Sequence, residues 1–263
     1  MAEGDISFDP NRNYDDETLS LQREIEKEIA ENQELIGPIQ PIEELIEQYA
    51  KEDQIYRHKL MDLRKRHSHI RKVRGDGNCF FRGFGFAYLE SLLTDEAEFA
   101  RFKDIAVKSK DNLVALGYPQ FTIEDFHDTF MDVVGQVEKK VSVDELQNVF
   151  NDQGISDYFV VYLRLIVSGH LQKESDFYSS FIEGGRTAKE FCSQEVEPMG
   201  KESDHIHIIA LATALGTCVL VEYMDRSGET CNQLVFPEEG ARPAVHLLYR
   251  PGHYDIVYSL TSD

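Results

Sequence analysis

Apolar residues recur at helical spacing through the middle of the chain and gather into short β-branched runs near its end. From Thr94 to Ile208 the pattern is mostly helical. The stretches Asp125–Val134 and Asp157–Ile166 each repeat large apolar side chains every three to four residues. Gly117-Tyr118-Pro119, Asn151 to Gly154 and Gly184-Gly185 punctuate these segments. Near the start, Leu21, Ile25 and Ile29 predict a helix opened by Asp15 or Asp16 and stopped by Gly37-Pro38. So few apolar positions make that helix marginal by itself. It reads either as a frayed surface helix or as a segment that orders on a partner. Met1 to about Tyr14 is expected to be disordered. After Pro41, a second helical pattern runs through Ile42, Leu45, Ile46 and Tyr49, then Tyr56, Leu60 and Leu63.

Strands are expected late. Cys218–Tyr223 is apolar and β-branched, and Val245–Tyr249 and Tyr254–Tyr258 flank Arg250-Pro251-Gly252-His253 as a hairpin would. Ser68–Val73 is a further candidate strand. The long apolar stretch Ile206–Val221 is broken by His207, Thr213, Gly216 and Thr217. It is too short for a membrane span and reads as a helix followed by a strand. The predicted class is α+β, helix-rich, with a small and mostly antiparallel sheet near the C-terminus. Residues 1–40 read as an acidic arm, and 41–263 as the folded domain.

Charge changes the picture in one respect. The chain of 263 residues carries a formal net charge of −21. Residues 1–56 hold 16 acidic and 4 basic side chains. Nucleic acid repels such a protein, whereas basic partners suit it. From Arg57 to Arg74 the sign inverts, with eight Lys/Arg and one acid, Asp62. That stretch reads as a solvated helix face and loop, or as a partner for the acidic arm. The four cysteines, Cys79, Cys192, Cys218 and Cys231, form no CxxC pair, which argues against a disulfide framework and a cysteine zinc site. No signal peptide is visible at Met1–Asp5. A reducing compartment is expected: the cytoplasm, with the nucleus left open.

The chemistry centres on Asp76-Gly77-Asn78-Cys79-Phe80. A tight turn leading into an apolar helix would leave Cys79 at the helix N-terminus, where free N–H groups and the dipole favour a thiolate. A lone cysteine before an aromatic run is more often a small buried hydrophobe, but a core cysteine needs no Asp-Gly-Asn ahead of it. His253 is the candidate base. Side chains two apart on a strand share a face, so Asp255 stands ready to orient its imidazole. His205 and His207 precede an apolar run and are read as structural or contact residues before metal ligands.

Asp76-Gly77-Asn78-Cys79-Phe80-Phe81-Arg82 together with Gly252-His253-Tyr254-Asp255 resembles the OTU family of cysteine proteases, which remove ubiquitin. Phe121–His127, Phe181–Thr187, Glu195–Met199, Glu202–Leu211 and Tyr249–Asp255 narrow the resemblance to the otubains, over about residues 42 to 258. The resemblance implies a papain-like fold, with Cys79 as nucleophile, His253 as general base and Asp255 as its orienter. It places Asp76 among the catalytic residues, its turn shaping the oxyanion hole. Ubiquitin would lie against Phe177, Phe181, Glu183, Glu195, Glu197, Glu202, His205, Tyr223 and Phe236. The implied activity is hydrolysis of the ubiquitin isopeptide bond, preferring the lysine linkage that signals proteasomal degradation, with no metal or cofactor. Ubiquitin would occupy distal and proximal sites, and ubiquitin-charged conjugating enzymes are the other implied partners, blocked through the N-terminal arm without cleavage. A monomer is the default. The competing expectation is a catalytically silent regulator that binds ubiquitin and conjugating enzymes.

Overall fold

The computed structural model describes residues 14–49, 53–237 and 242–260. The expected disorder of the first residues lies outside that range. Two compact units divide the chain, Met1–Gln33 and Glu34–Asp263. The first unit contains helix α1, Tyr14–Asn32. It starts one residue before the predicted caps and ends short of Gly37-Pro38. Its side chains Leu21 and Ile25 are exposed.

The second unit opens with strand β1 (Ile36–Pro41), helices α2 (Ile42–Glu47) and α3 (Gln54–Leu63), and strand β2 (His67–Val73). A run of helices follows: α4 (Cys79–Leu92), α5 (Glu96–Ala115), α6 (Gln120–Glu138), α7 (Val143–Asn151), α8 (Gln153–Lys173), α9 (Ser175–Tyr178) and α10 (Ala188–Phe191). A single π-helical turn, Cys192–Val196, continues α10, and α11 (His205–Leu215) closes the helical part. Strands β3 (Val219–Tyr223), β4 (Asn232–Phe236), β5 (Val245–Arg250) and β6 (His253–Ser259) complete the chain. Among the described residues no helix is long and apolar enough to cross a membrane.

The six strands form one sheet in the order β1-β2-β6-β5-β3-β4. Every neighbouring pair is antiparallel except β3 with β5. The sheet is larger than the four candidate strands, because β1 and β4 join its two margins. Gly37 and Pro38, read as a helix stop, lie inside a strand paired with β2. The folded unit therefore begins at Glu34 and not at residue 41.

The pleat sends alternate side chains to two cores. Val73, Val219, Val221, Leu247 and Ile256 meet the helices on one face, while Ile70, Leu248 and Val257 meet α2 and α3 on the other. Helix α4 is buried from Cys79 through Leu89, as a run that is apolar but for Arg82 requires. It lies so close to α8 that a Cβ at Gly85 would sit 2.4 Å from the Phe159 ring. The basic stretch 57–74 is only partly solvated. Lys59 is buried against Asp225 at 3.1 Å, Arg66 pairs with the buried Glu222 at 2.8 Å, and Arg71 donates to the Gly37 carbonyl at 3.2 Å. A buried cation without an acceptor costs several kcal/mol, on the order of what a whole domain has to spare, so each is matched.

Candidate active site

Strand β2 delivers the chain to the turn Gly75–Asn78, and the turn starts α4 at Cys79. Two contacts from Asp76 fix that turn. Its Oδ1 accepts the Asn78 N–H at 2.9 Å, and its Oδ2 accepts Arg82 Nη1 at 2.7 Å. Asp76 therefore bends the chain ahead of the cysteine and ties it to the first turn of α4. Asn78 is the N-cap residue but makes no capping bond with its side chain. The first N–H groups of α4 are left by it for another acceptor, where the dipole favours an anion.

His253 begins β6, and its Nε2 lies 2.9 Å from Asp255 Oδ1. The same imidazole interacts with Cys79, which is 5% exposed. The expected nucleophile, base and orienter are thus brought together. Asp255 is fully buried and saturated: besides His253, its Oδ1 accepts the Val73 N–H at 3.0 Å, and its Oδ2 accepts Arg250 Nη2. Burial alone would raise the carboxyl of Asp255, but His253 and Arg250 hold it below the usual range. Burial likewise works against the His253 cation. The interactions with Asp255 and Cys79 outweigh it, and the imidazole is raised to about 9. The site accordingly holds a protonated imidazole at neutral pH, the state that pairs with a thiolate.

A cleft of about 440 Å³ is lined by Tyr254, the residue between His253 and Asp255, though by none of the three groups themselves. Of the residues expected to meet a partner, Phe181, Glu183, Glu195, Glu202, His205 and Tyr223 line it. Phe177 is exposed, with its ring 5.7 Å from that of Phe181. Phe236 is buried behind the lining and packs on His205 at 5.4 Å. Glu197 is not brought into the cleft. Its carboxylate accepts Ser168 Oγ at 2.7 Å and Tyr118 Oη at 2.9 Å, which turns it toward α8. Glu195 stays on the cleft but already pairs with Arg186 at 3.2 Å and Lys201 at 3.7 Å. Glu202 lies near Gly252, one residue from the base: a Cβ placed on that glycine would touch its carboxylate at 3.5 Å. His207 is structural. Its Nδ1 accepts the Asp204 N–H at 3.0 Å, and its ring packs against Phe81 and Phe191. No cluster of metal ligands exists among the described residues.

Two arginines escaped the sequence reading. Arg82 and Arg164 are both fully buried. Arg82 joins Asp76 to Asp157 at 2.9 Å and to Ser156 at 3.0 Å. Arg164 donates to four oxygens, described further below, and burial lowers it to about 10 without discharging it near neutrality. The signal was present: each is a single charge inside an otherwise apolar helical run, Phe80–Leu89 and Phe159–Val167. In such a place an arginine must have internal acceptors.

The family model Peptidase C65 Otubain matches residues 28–259. "Ubiquitin thioesterase OTUB1" of Homo sapiens is 58% identical over 246 residues, covering 93% of this chain and 90% of that protein. The "OVARIAN TUMOR DOMAIN-containing deubiquitinating enzyme 1" of Arabidopsis thaliana is 41% identical over 259 residues, covering 90% and 85% respectively. Among solved structures, a complex described as h/ceOTUB1-ubiquitin aldehyde-UBCH5B~Ub superposes with a TM-score of 0.88 at 35% identity, covering 95% of this chain and 99% of that one.

Proposed function

The chain belongs to the peptidase C65 otubain family and is a cysteine deubiquitinase, and on that premise we propose that it hydrolyses isopeptide bonds in ubiquitin chains, preferring the lysine linkage that signals proteasomal degradation. The observation that carries the chemistry is the grouping of Cys79, at the N-terminus of α4, with His253 and its hydrogen-bonded partner Asp255. The Cys79 thiolate attacks the carbonyl carbon of ubiquitin's last glycine. Charge develops on the carbonyl oxygen, and the uncapped first turn of α4 supplies N–H groups toward it. The C–N bond breaks as His253 gives its proton to the departing lysine amine, leaving a thioester. Neutral His253 then takes a proton from water, which adds to the thioester and frees the cysteine. Asp255, neutralised on its far side by Arg250, keeps the imidazole in one orientation throughout. The acidic lining residues Glu183, Glu195, Glu202 and Asp204 suit a tail that carries arginines before its Gly-Gly end.

A panel of all diubiquitin linkages tests the preference. One linkage, that of the degradation signal, is expected to be cleaved well ahead of the rest, and equal cleavage of all linkages would refute it. The raised His253 pKa supplies a second expectation. The proton needed by the lysine leaving group is present below about 9 and lost above it. The kcat/KM for isopeptide cleavage should therefore fall as pH rises through that value. A ubiquitin ester, whose leaving group departs without that proton, should keep its rate there. A shared descending limb for both substrates would take His253 out of the acid role.

A second reading concerns the first unit. Helix α1 belongs to a different compact unit from the triad residues, and its side chains Leu21 and Ile25 are exposed. The superposing complex contains UBCH5B~Ub as well as ubiquitin aldehyde. These support a non-catalytic role, in which α1 takes part in holding a ubiquitin-charged conjugating enzyme and blocks its transfer step.

A further inference from the structure

The turn that carries the nucleophile and the segment that forms the acidic wall of the cleft meet in one buried knot. The wall segment runs from Glu195 to Glu202, and both of those residues line the cleft. At its centre, Gly200 passes so close to Gly77 that a Cβ at Gly77 would lie 2.0 Å from the Gly200 carbonyl oxygen. Gly77 also has φ +74, which only glycine adopts without strain. The two backbones are thus in direct contact, with no side chain between them to absorb movement.

The side chain of Asn78 crosses the same junction. Its Oδ1 accepts the Gly200 N–H at 2.9 Å and Arg164 Nη2 at 2.9 Å. Arg164 extends the knot to both sides. Its Nη2 also donates to the Gly77 carbonyl at 3.0 Å and the Lys201 carbonyl at 2.8 Å, and its Nη1 to the Val196 carbonyl at 3.0 Å. Its guanidinium lies 4.5 Å from the centre of the Phe81 ring, on the helix that Cys79 begins. Every acceptor of this buried cation therefore belongs either to the nucleophile turn or to the wall. Asn78 uses its side chain here and not as a helix cap, which is an unusual assignment for an N-cap asparagine.

We propose that Asn78, held by Arg164, is a positioning residue that couples the 195–202 wall of the cleft to Cys79, so that seating of the ubiquitin tail against the wall sets the alignment of the sulfur. The inference rests on the ubiquitin reading given above. The coupling is mechanical. Asn78 and Cys79 are consecutive, so a shift of the Gly200 N–H reaches the nucleophile through one amide side chain and one peptide bond. Misplacement of a reacting atom by about 1 Å costs roughly a hundredfold in rate, so small shifts matter.

Asn78→Ala and Asn78→Asp separate positioning from folding. Aspartate keeps an acceptor for both the Gly200 N–H and Arg164, and alanine keeps none. With active sites counted by a ubiquitin vinyl sulfone, kcat per site on a ubiquitin aminocoumarin substrate should fall about tenfold or more in Asn78→Ala, with KM within roughly threefold of wild type. Asn78→Asp should recover most of the loss. Should Asn78→Ala fail to fold, Arg164→Lys, which reaches fewer of the four oxygens, should show the same split of kcat from KM. An unchanged kcat per titrated site, a rise in KM alone, or an aspartate variant no better than alanine overturns the proposal. Alkylation of Cys79 by iodoacetamide needs no ubiquitin and should slow in the same variants; equal alkylation overturns the proposal too. A wild type that alkylates readily but never reacts with the vinyl sulfone overturns the ubiquitin reading, independently of the knot.

Discussion

Replacing Cys79 by alanine should abolish cleavage of the preferred diubiquitin while leaving its binding intact. The loss expected is about 10⁴-fold or more, because no other group in the site can form the thioester and the residual rate is that of water alone. Binding should survive for a structural reason. Cys79 is 5% exposed and contributes one sulfur atom at the base of the site, whereas the cleft walls come from other segments. Removing the thiol also removes one of the interactions that raise the His253 imidazole. The variant should therefore bind diubiquitin at least as well as wild type by calorimetry, while a gel shows no monoubiquitin over hours. Any cleavage above background by the alanine protein would sink the triad assignment, since the remaining cysteines, Cys192, Cys218 and Cys231, are all buried elsewhere.

Deleting residues 1–33 should separate the two proposed activities. The cut falls at the boundary between the compact units and leaves β1 whole. All of the triad, its supporting arginines and the cleft lie in the second unit, so cleavage of a ubiquitin C-terminal ester should stay within a few-fold of wild type. Inhibition of ubiquitin transfer from a charged conjugating enzyme should disappear, because α1 leaves with the deleted segment. The complementary protein, full-length with Cys79→Ala, should still inhibit. A truncated protein that continues to block transfer would place that activity in the second unit and retire α1 from the account.

The parts of the fold that were legible in the sequence are those decided by local pattern. Asp-Gly-Asn before an apolar run gave the start of α4 at Cys79, and the period of two gave the shared face of His253 and Asp255. The β5–β6 hairpin followed from its turn residues. What was not legible depends on partners far away in the chain. Gly37-Pro38 reads as a breaker locally, but the pairing of Ile36 and Ile39 with β2 on either side carries it within a strand as a bulge. Glu197 looks like any surface acid until Tyr118 and Ser168, on other elements, supply its two donors. Arg82 and Arg164 announce only that each needs internal acceptors; which ones cannot be read locally, because those of Arg82 lie in the nucleophile turn and on α8, and those of Arg164 in the same turn and the wall segment.

Strand β1 has one more consequence. It forms one margin of the sheet, where unpaired backbone groups can recruit a strand from another molecule and start aggregation. Two of its six residues are prolines, Pro38 and Pro41, which have no N–H to offer, and it is bulged between Ile36 and Ile39. Its first residue is occupied by Asn151, which both donates to and accepts from the Ile36 backbone. The same residues that hide the strand from a reading of the sequence thus make it a poor template for self-association. A truncation carried past it would bare β2, a seven-residue strand without proline, as the new margin. Any shortened form of this protein meant to stay monodisperse at high concentration should therefore keep residues 36–41.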